Sequence, residues 1–157
     1  MSEICVTVAL VDHMTFIGTD ERGLQVTMDA ATEVDGRDQG PTPMELLAMA
    51  LGGCTGMDVI SMLRKMRQDV SAYEVHVSGP RSADHPQIFS ALSVEHVVHG
   101  KNLDPDRVRH AIELSATRYC SVSAMLSRAA TVTHSCRVLA RDGTQLAGGP
   151  LIERSAA

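Results

Sequence analysis

The chain has very little aromatic surface. Its 157 residues include no tryptophan, two tyrosines and two phenylalanines, too few rings for a platform on which bases stack. An excess of positive charge is also missing. Fourteen Lys and Arg stand against 19 Asp and Glu, for a net charge of −5, so no basic face is available for nucleic acid. Long apolar runs are absent: the longest, Leu46 to Met57 between Glu45 and Asp58, spans 12 residues, where a membrane helix needs about 18. The opening MSEICVTVALVDH has no basic stretch before its apolar run, unlike an export signal. A cytoplasmic protein with no membrane or nucleic-acid partner is expected, and there cysteines stay reduced. The four cysteines, Cys5, Cys54, Cys120 and Cys136, form no CxxC pair or other zinc-site spacing, so no metal and no cofactor is expected.

What is present is ordinary for a folded chain: 44% hydrophobic and 21% charged residues, enough for one domain over 1–157. Nine methionines fill with thioether and aliphatic volume what aromatics do not. Alternation of Ile4, Val6, Val8 and Leu10 marks a strand, and MTFIGT (14–19) and GLQVTMDA (23–30) a hairpin. Thr42, Pro43 and Glu45 form a capping box with proline at the first helical position. The helix they open runs to about Lys65 and is apolar on most sides, as a buried central helix would be. Gly52 and Gly53 inside it cost about 1 kcal/mol each relative to alanine, which close packing of another helix, or room for a ligand, would offset. Strands follow at 71–79 and 89–100, then a helix capped by Asp104 and ending near Tyr119. A short helix capped by Ser121 or Ser123 and a strand at 130–139 complete the pattern. Residues 141–157, rich in Gly and Ala, read as a partly flexible tail. Strands interleaved with helix pairs make the fold class α+β.

Two cysteines stand out by position. Cys54 lies beside the helix glycines, and Cys120 just before a helix N-terminus, where the backbone dipole favours a thiolate. Asp58, four residues beyond Cys54, shares its helix face. An acid there opposes ionisation of the thiol, so it points to a hydrogen bond or to a cation elsewhere. Cys5 and Cys136 read as packing residues. His96 and His99 point to opposite faces of a strand. His134 and Cys136 share a face and read as a satisfied core pair. Arg64, Lys65 and Arg67 suit the C-terminal end of the long helix.

The segment GPTPMELLAMALGGCTGMDVISMLRKMRQDV (40–70), with YCSVSAML (119–126) following, resembles the OsmC/Ohr family in its OsmC-like, YhfA-type branch. The resemblance implies an intertwined homodimer with a long buried central helix packed on antiparallel sheets. It implies a two-cysteine peroxidase, in which Cys54 attacks an organic hydroperoxide and Cys120 resolves the sulfenic acid as a disulfide. A dithiol or lipoyl-type reductant closes the cycle. The alternative is a small-molecule or thiol-carrier binding protein of the same fold without turnover. Met49, Met57 and Gly53 are candidates for an apolar substrate pocket.

The chain departs from the peroxidase pattern. Met44 occupies the position of their helix glutamate. Glu45, one residue on, lies about 180° around the helix and about 13 Å along it from Cys54, which suits a capping role or the partner chain's site. The activating arginine has two candidates, Arg37 and Arg22, both in loops. Ser121 stands where the family often has proline.

Overall fold

The computed structural model describes residues 3–155. They form two compact units, one up to Ala48 and the other from Met49 onward, with the boundary inside the long helix.

In the first unit, β1 (Val6–Asp12), β2 (Thr15–Asp20) and β3 (Gln25–Met28) form an antiparallel sheet in that order. Val6, Val8 and Leu10 face Asp20, Gly18 and Phe16 across the first pair. All three of these β1 side chains are exposed. The loop after β3 is organised by Asp29, whose buried carboxylate accepts hydrogen bonds from Thr15 Oγ1 and the Ala30, Arg37 and Gln39 amides. Burial pushes its pKa up, but these donors outweigh burial and hold it below the usual range.

Helix α1 (Pro43–Lys65) starts as its sequence dictates. The Glu45 amide donates to Thr42 Oγ1 (3.3 Å), while the Thr42 amide donates to Glu45 Oε2 (2.7 Å). By length and composition alone α1 would pass for a membrane span. In this fold it buries Leu51, Gly52, Thr55, Val59 and Leu63 along one stripe. Within one chain the opposite stripe, including Met49, Gly53 and Met57, remains exposed.

The second unit continues with β4 (Asp69–Ser78), β5 (Ala91–Lys101), α2 (Pro105–Leu114), a π-helical turn (Ser115–Tyr119), α3 (Ser121–Leu126), β6 (Thr131–Ala140) and β7 (Gln145–Arg154). Its sheet runs β4-β5-β6-β7. The sheets expected to be antiparallel are so in every pairing but one: β5 and β6 are parallel. A parallel pair needs a long crossover, which α2, the π-turn and α3 supply. A second correction concerns the tail. Residues 145–154 are β7, antiparallel to β6, because the backbone ladder compensates for weak strand formers such as Gly148 and Gly149. The alternation seen in sequence is realised: Leu92, Val94, His96 and Val98, with Val132, His134, Cys136 and Val138, are buried. One apolar cluster gathers Val59, Leu63, Val98, Val108, Ile112 and Val138, and another Leu51, Leu92, Val94 and Val132. Each such side chain contributes about 1.5–3 kcal/mol by leaving water.

The helix glycines find their reason in a strand rather than another helix. A Cβ at Gly52 would approach Val77 Cγ2 to 3.2 Å, and one at Gly56 would meet Val75 at 3.4 Å. Gly53 faces open space.

Candidate active site

One turn of α1 carries Cys54, Thr55 and Asp58, with Cys54 and Asp58 on the same face. Cys120 reaches them from the other side. It is the N-cap of α3, in extended backbone (φ −69°, ψ 103°) directly after the π-turn. Its sulfur accepts the Ser123 amide at 3.3 Å, the role that the sequence reading gave to Ser121 or Ser123. The Cys54 Sγ, the Cys120 Sγ and a carboxylate oxygen of Asp58 all lie within 4.8 Å of one another. Cys54 is half-buried and Cys120 only 2% exposed.

The Cys120 thiol is pushed up to about 12, first by burial and then by its hydrogen bond to Cys54. The charges of Cys54 and Asp58 add to the effect, and the Ser123 amide works against it. The expectation that a helix N-terminus would stabilise a thiolate at Cys120 is overturned: one amide does not offset desolvation beside two anion-forming groups.

Asp58 is held in place by two hydroxyls. Ser115 Oγ donates to Asp58 Oδ2 at 3.0 Å and lies 2.9 Å from Thr55 Oγ1. A serine has one proton to give, so Thr55 donates to Ser115 and Ser115 to Asp58. Thr55 and Ser115 are fully buried. Sequence reasoning missed this relay, since its members stand 57 and 60 residues apart and neither carries a local motif.

The other candidates fall elsewhere. Gly53 and Met57 line a shallow groove of about 520 Å3 beside β4. Met49 lies on the exposed stripe. Arg22 pairs with Asp20 at 2.8 Å, Arg37 with Asp12 at 2.6 Å, and Glu45 with Thr42 in the helix cap. Each of these three thus has a local partner.

A separate polar chain crosses the same core. Tyr73 Oη lies 2.7 Å from His96 Nδ1, and His96 Nε2 lies 3.2 Å from His134 Nδ1. The rings are stacked. Burial holds both imidazoles neutral, lowering His96 to about 3 and His134 to about 4, with His134 adding to the first shift and Arg154 to the second. The core pair expected between His134 and Cys136 is therefore replaced by a pair between His134 and His96. The Nε2 of His134 has no hydrogen-bond partner.

A half-buried thiol beside a buried one on an α+β scaffold defines the class as a small α+β protein with two neighbouring thiols, and the comparisons give the family. Residues 35–135 match the family model described as OsmC-like protein; the chain belongs to this family. Protein YhfA of Escherichia coli (strain K12) is 40% identical over 130 residues, covering 83% of this chain and 94% of that protein. A hypothetical protein from Aquifex aeolicus VF5 superposes with a TM-score of 0.79 at 29% identity, over 90% of this chain and 99% of that one. An organic hydroperoxide resistance protein from Legionella pneumophila shares the fold at a TM-score of 0.61 and 14% identity, over 88% and 97%.

Proposed function

We propose that the chain reduces organic hydroperoxides through a two-cysteine cycle. The observation that carries this reading is the pairing of a half-buried thiol, Cys54, with a buried one, Cys120, their sulfurs within 4.8 Å of each other. Their unequal surroundings divide the work. Cys54, the more accessible, attacks the distal oxygen of ROOH. The O–O bond breaks, ROH leaves after taking a proton, and Cys54 becomes a sulfenic acid. Cys120, kept protonated by burial, is a poor first nucleophile. It then attacks the Cys54 sulfur, its proton and the sulfenic hydroxyl leave as water, and a disulfide forms. A dithiol, such as a lipoyl group, returns two electrons and two protons.

The groove lined by Gly53, Met57 and Ile60 suits an apolar R group. The working unit is a homodimer in the cytoplasm. The exposed apolar stripe of α1 and the exposed valines of β1 are surfaces that a second copy would cover, and Arg22, Arg37 and Glu45 are candidates to activate a partner's thiol.

One observation favours the alternative of a binding protein without turnover. Asp58 faces both sulfurs, where the peroxide cycle gives a carboxylate no role, and it adds to the upward shift of the Cys120 thiol. Consumption of cumene hydroperoxide with a dithiol donor, compared between the wild type and Cys54→Ser, decides between the two. Turnover that vanishes in the variant, with loss of two thiols per chain on one equivalent of peroxide, supports the cycle. No turnover above the variant leaves the binding reading.

A further inference from the structure

Asp58 has no task in the peroxide cycle. It faces two thiols, and its carboxylate is held in place by Ser115 and, behind it, Thr55. Among the described residues it takes part in no ion pair. Three groups able to become anions thus converge with no cation between them. We propose that Cys54, Asp58 and Cys120 form a binding site for a thiophilic divalent cation of the zinc type, with a fourth coordination position open.

The donor set selects the metal. Two sulfurs and a carboxylate oxygen suit zinc, whereas calcium and magnesium require oxygen donors throughout. The spacing fits as well. Zinc–sulfur bonds of about 2.3 Å and zinc–oxygen bonds of about 2.1 Å set tetrahedral ligand atoms about 3.5–3.8 Å apart. The three donors already lie within 4.8 Å of one another, so side-chain rotations closing about 1 Å complete the geometry. Supporting hydrogen bonds orient two of the three ligands, as in established metal sites: Ser115 holds Asp58, and the Ser123 amide holds the Cys120 sulfur. Asp58 also borders a cleft of about 460 Å3, lined with Ser61, Met62 and Tyr119.

The binding step is a proton exchange with no electron transfer. Zinc bonds to both sulfurs and to the carboxylate, and the two thiol protons go to solvent. A spacing motif does not reveal such a site, because Cys120 is brought to the other two donors only by the fold. Zinc and a Cys54–Cys120 disulfide exclude each other, since both occupy the same sulfur electron pairs. The inference does not rest on the peroxidase reading, and its test uses no peroxide.

The test is a zinc titration of the full chain, reduced with a phosphine, stripped of metal and handled without oxygen, against a chromophoric competing chelator. Cobalt(II) is the spectroscopic probe. The expected result is one ion per chain, two protons released per ion, and a sulfur-to-cobalt band with the intensity of two thiolates. Cys54→Ser lowers affinity by at least about a hundredfold and Asp58→Asn by at least about tenfold, since loss of a ligand's supporting partner alone costs about 10–100-fold. A Cys5→Ser, Cys136→Ser double variant binds as the wild type does. Because Cys120 is fully buried, its part is read from the wild-type cobalt band rather than from a substitution. Absence of binding at micromolar zinc, a one-thiolate band, or affinity that survives Cys54→Ser overturns the proposal.

Discussion

Two polar insertions interrupt the apolar interior of residues 49–157, and they behave oppositely. Around Cys54, groups able to carry negative charge gather, and one of them is half-open to solvent. Along Tyr73, His96 and His134, aromatic and imidazole rings stack and hydrogen-bond as neutral groups, with both histidines sealed from water. The second arrangement is structural: neutral groups hydrogen-bond one another from Tyr73 to His134 Nδ1, only the outer nitrogen of His134 stays unpaired, and desolvation keeps the rings neutral. The first gathers two thiols and a carboxylate with no ion-pair partner for Asp58 among the described residues. The kind of group that each cluster gathers, more than the presence of polar atoms, separates the two in this core.

The sharpest break of that contrast is Cys54→Ser, for which we predict complete loss of dithiol-dependent peroxide consumption with the fold intact by circular dichroism. A functional loss at His96 of the same size, with the fold intact, would erase the distinction between the two clusters.

The next largest effect is on stability against pH. Both histidines have folded pKa values below the ordinary 6.5. Below that pH the unfolded chain takes up protons that the folded chain refuses, so stability is full above about pH 6.5 and falls toward pH 4. Between pH 7 and pH 5 the loss reaches up to about 2 kcal/mol for each histidine, measured as a drop in the urea midpoint. A midpoint unchanged over that interval would mean that the imidazoles are not held neutral.

Replacing His96 by Ala strands Tyr73 Oη and His134 Nδ1 and opens a cavity. We expect a cost of about 2–4 kcal/mol in equilibrium unfolding at pH 7.5. The matching change in the sulfur cluster, Ser115→Ala, frees one Asp58 oxygen and is expected to cost about 1–2 kcal/mol. The smallest effect lies outside both clusters. Glu45→Ala removes half of the helix cap and should lower stability by about 1 kcal/mol. A far larger fall in turnover than in stability would give Glu45 a place in the chemistry.

Much of this was legible residue by residue. The Thr42, Pro43 and Glu45 pattern set the start of α1, since capping is a contact between neighbours in sequence. Asp104 likewise caps α2, accepting the Asp106 and Arg107 amides. The period-two runs of β5 and β6 placed His96, His134 and Cys136 indoors. The strand at 145–154 was not legible, because a glycine-rich segment becomes a strand only when a neighbour supplies the ladder. The parallel β5–β6 pairing was hidden for the same reason.

The sequence by itself determined most local elements and their order, since these depend on contacts within a few residues. Only the tertiary structure decided what stands beside Cys54 and Cys120. Asp58 is anchored by a serine 57 residues away, and Cys120 loses its acidity to burial and to the sulfur it faces. His96 takes His134 as its partner across the two parallel strands. Solvation and charge act through space, and the distances they depend on exist only once the chain has folded.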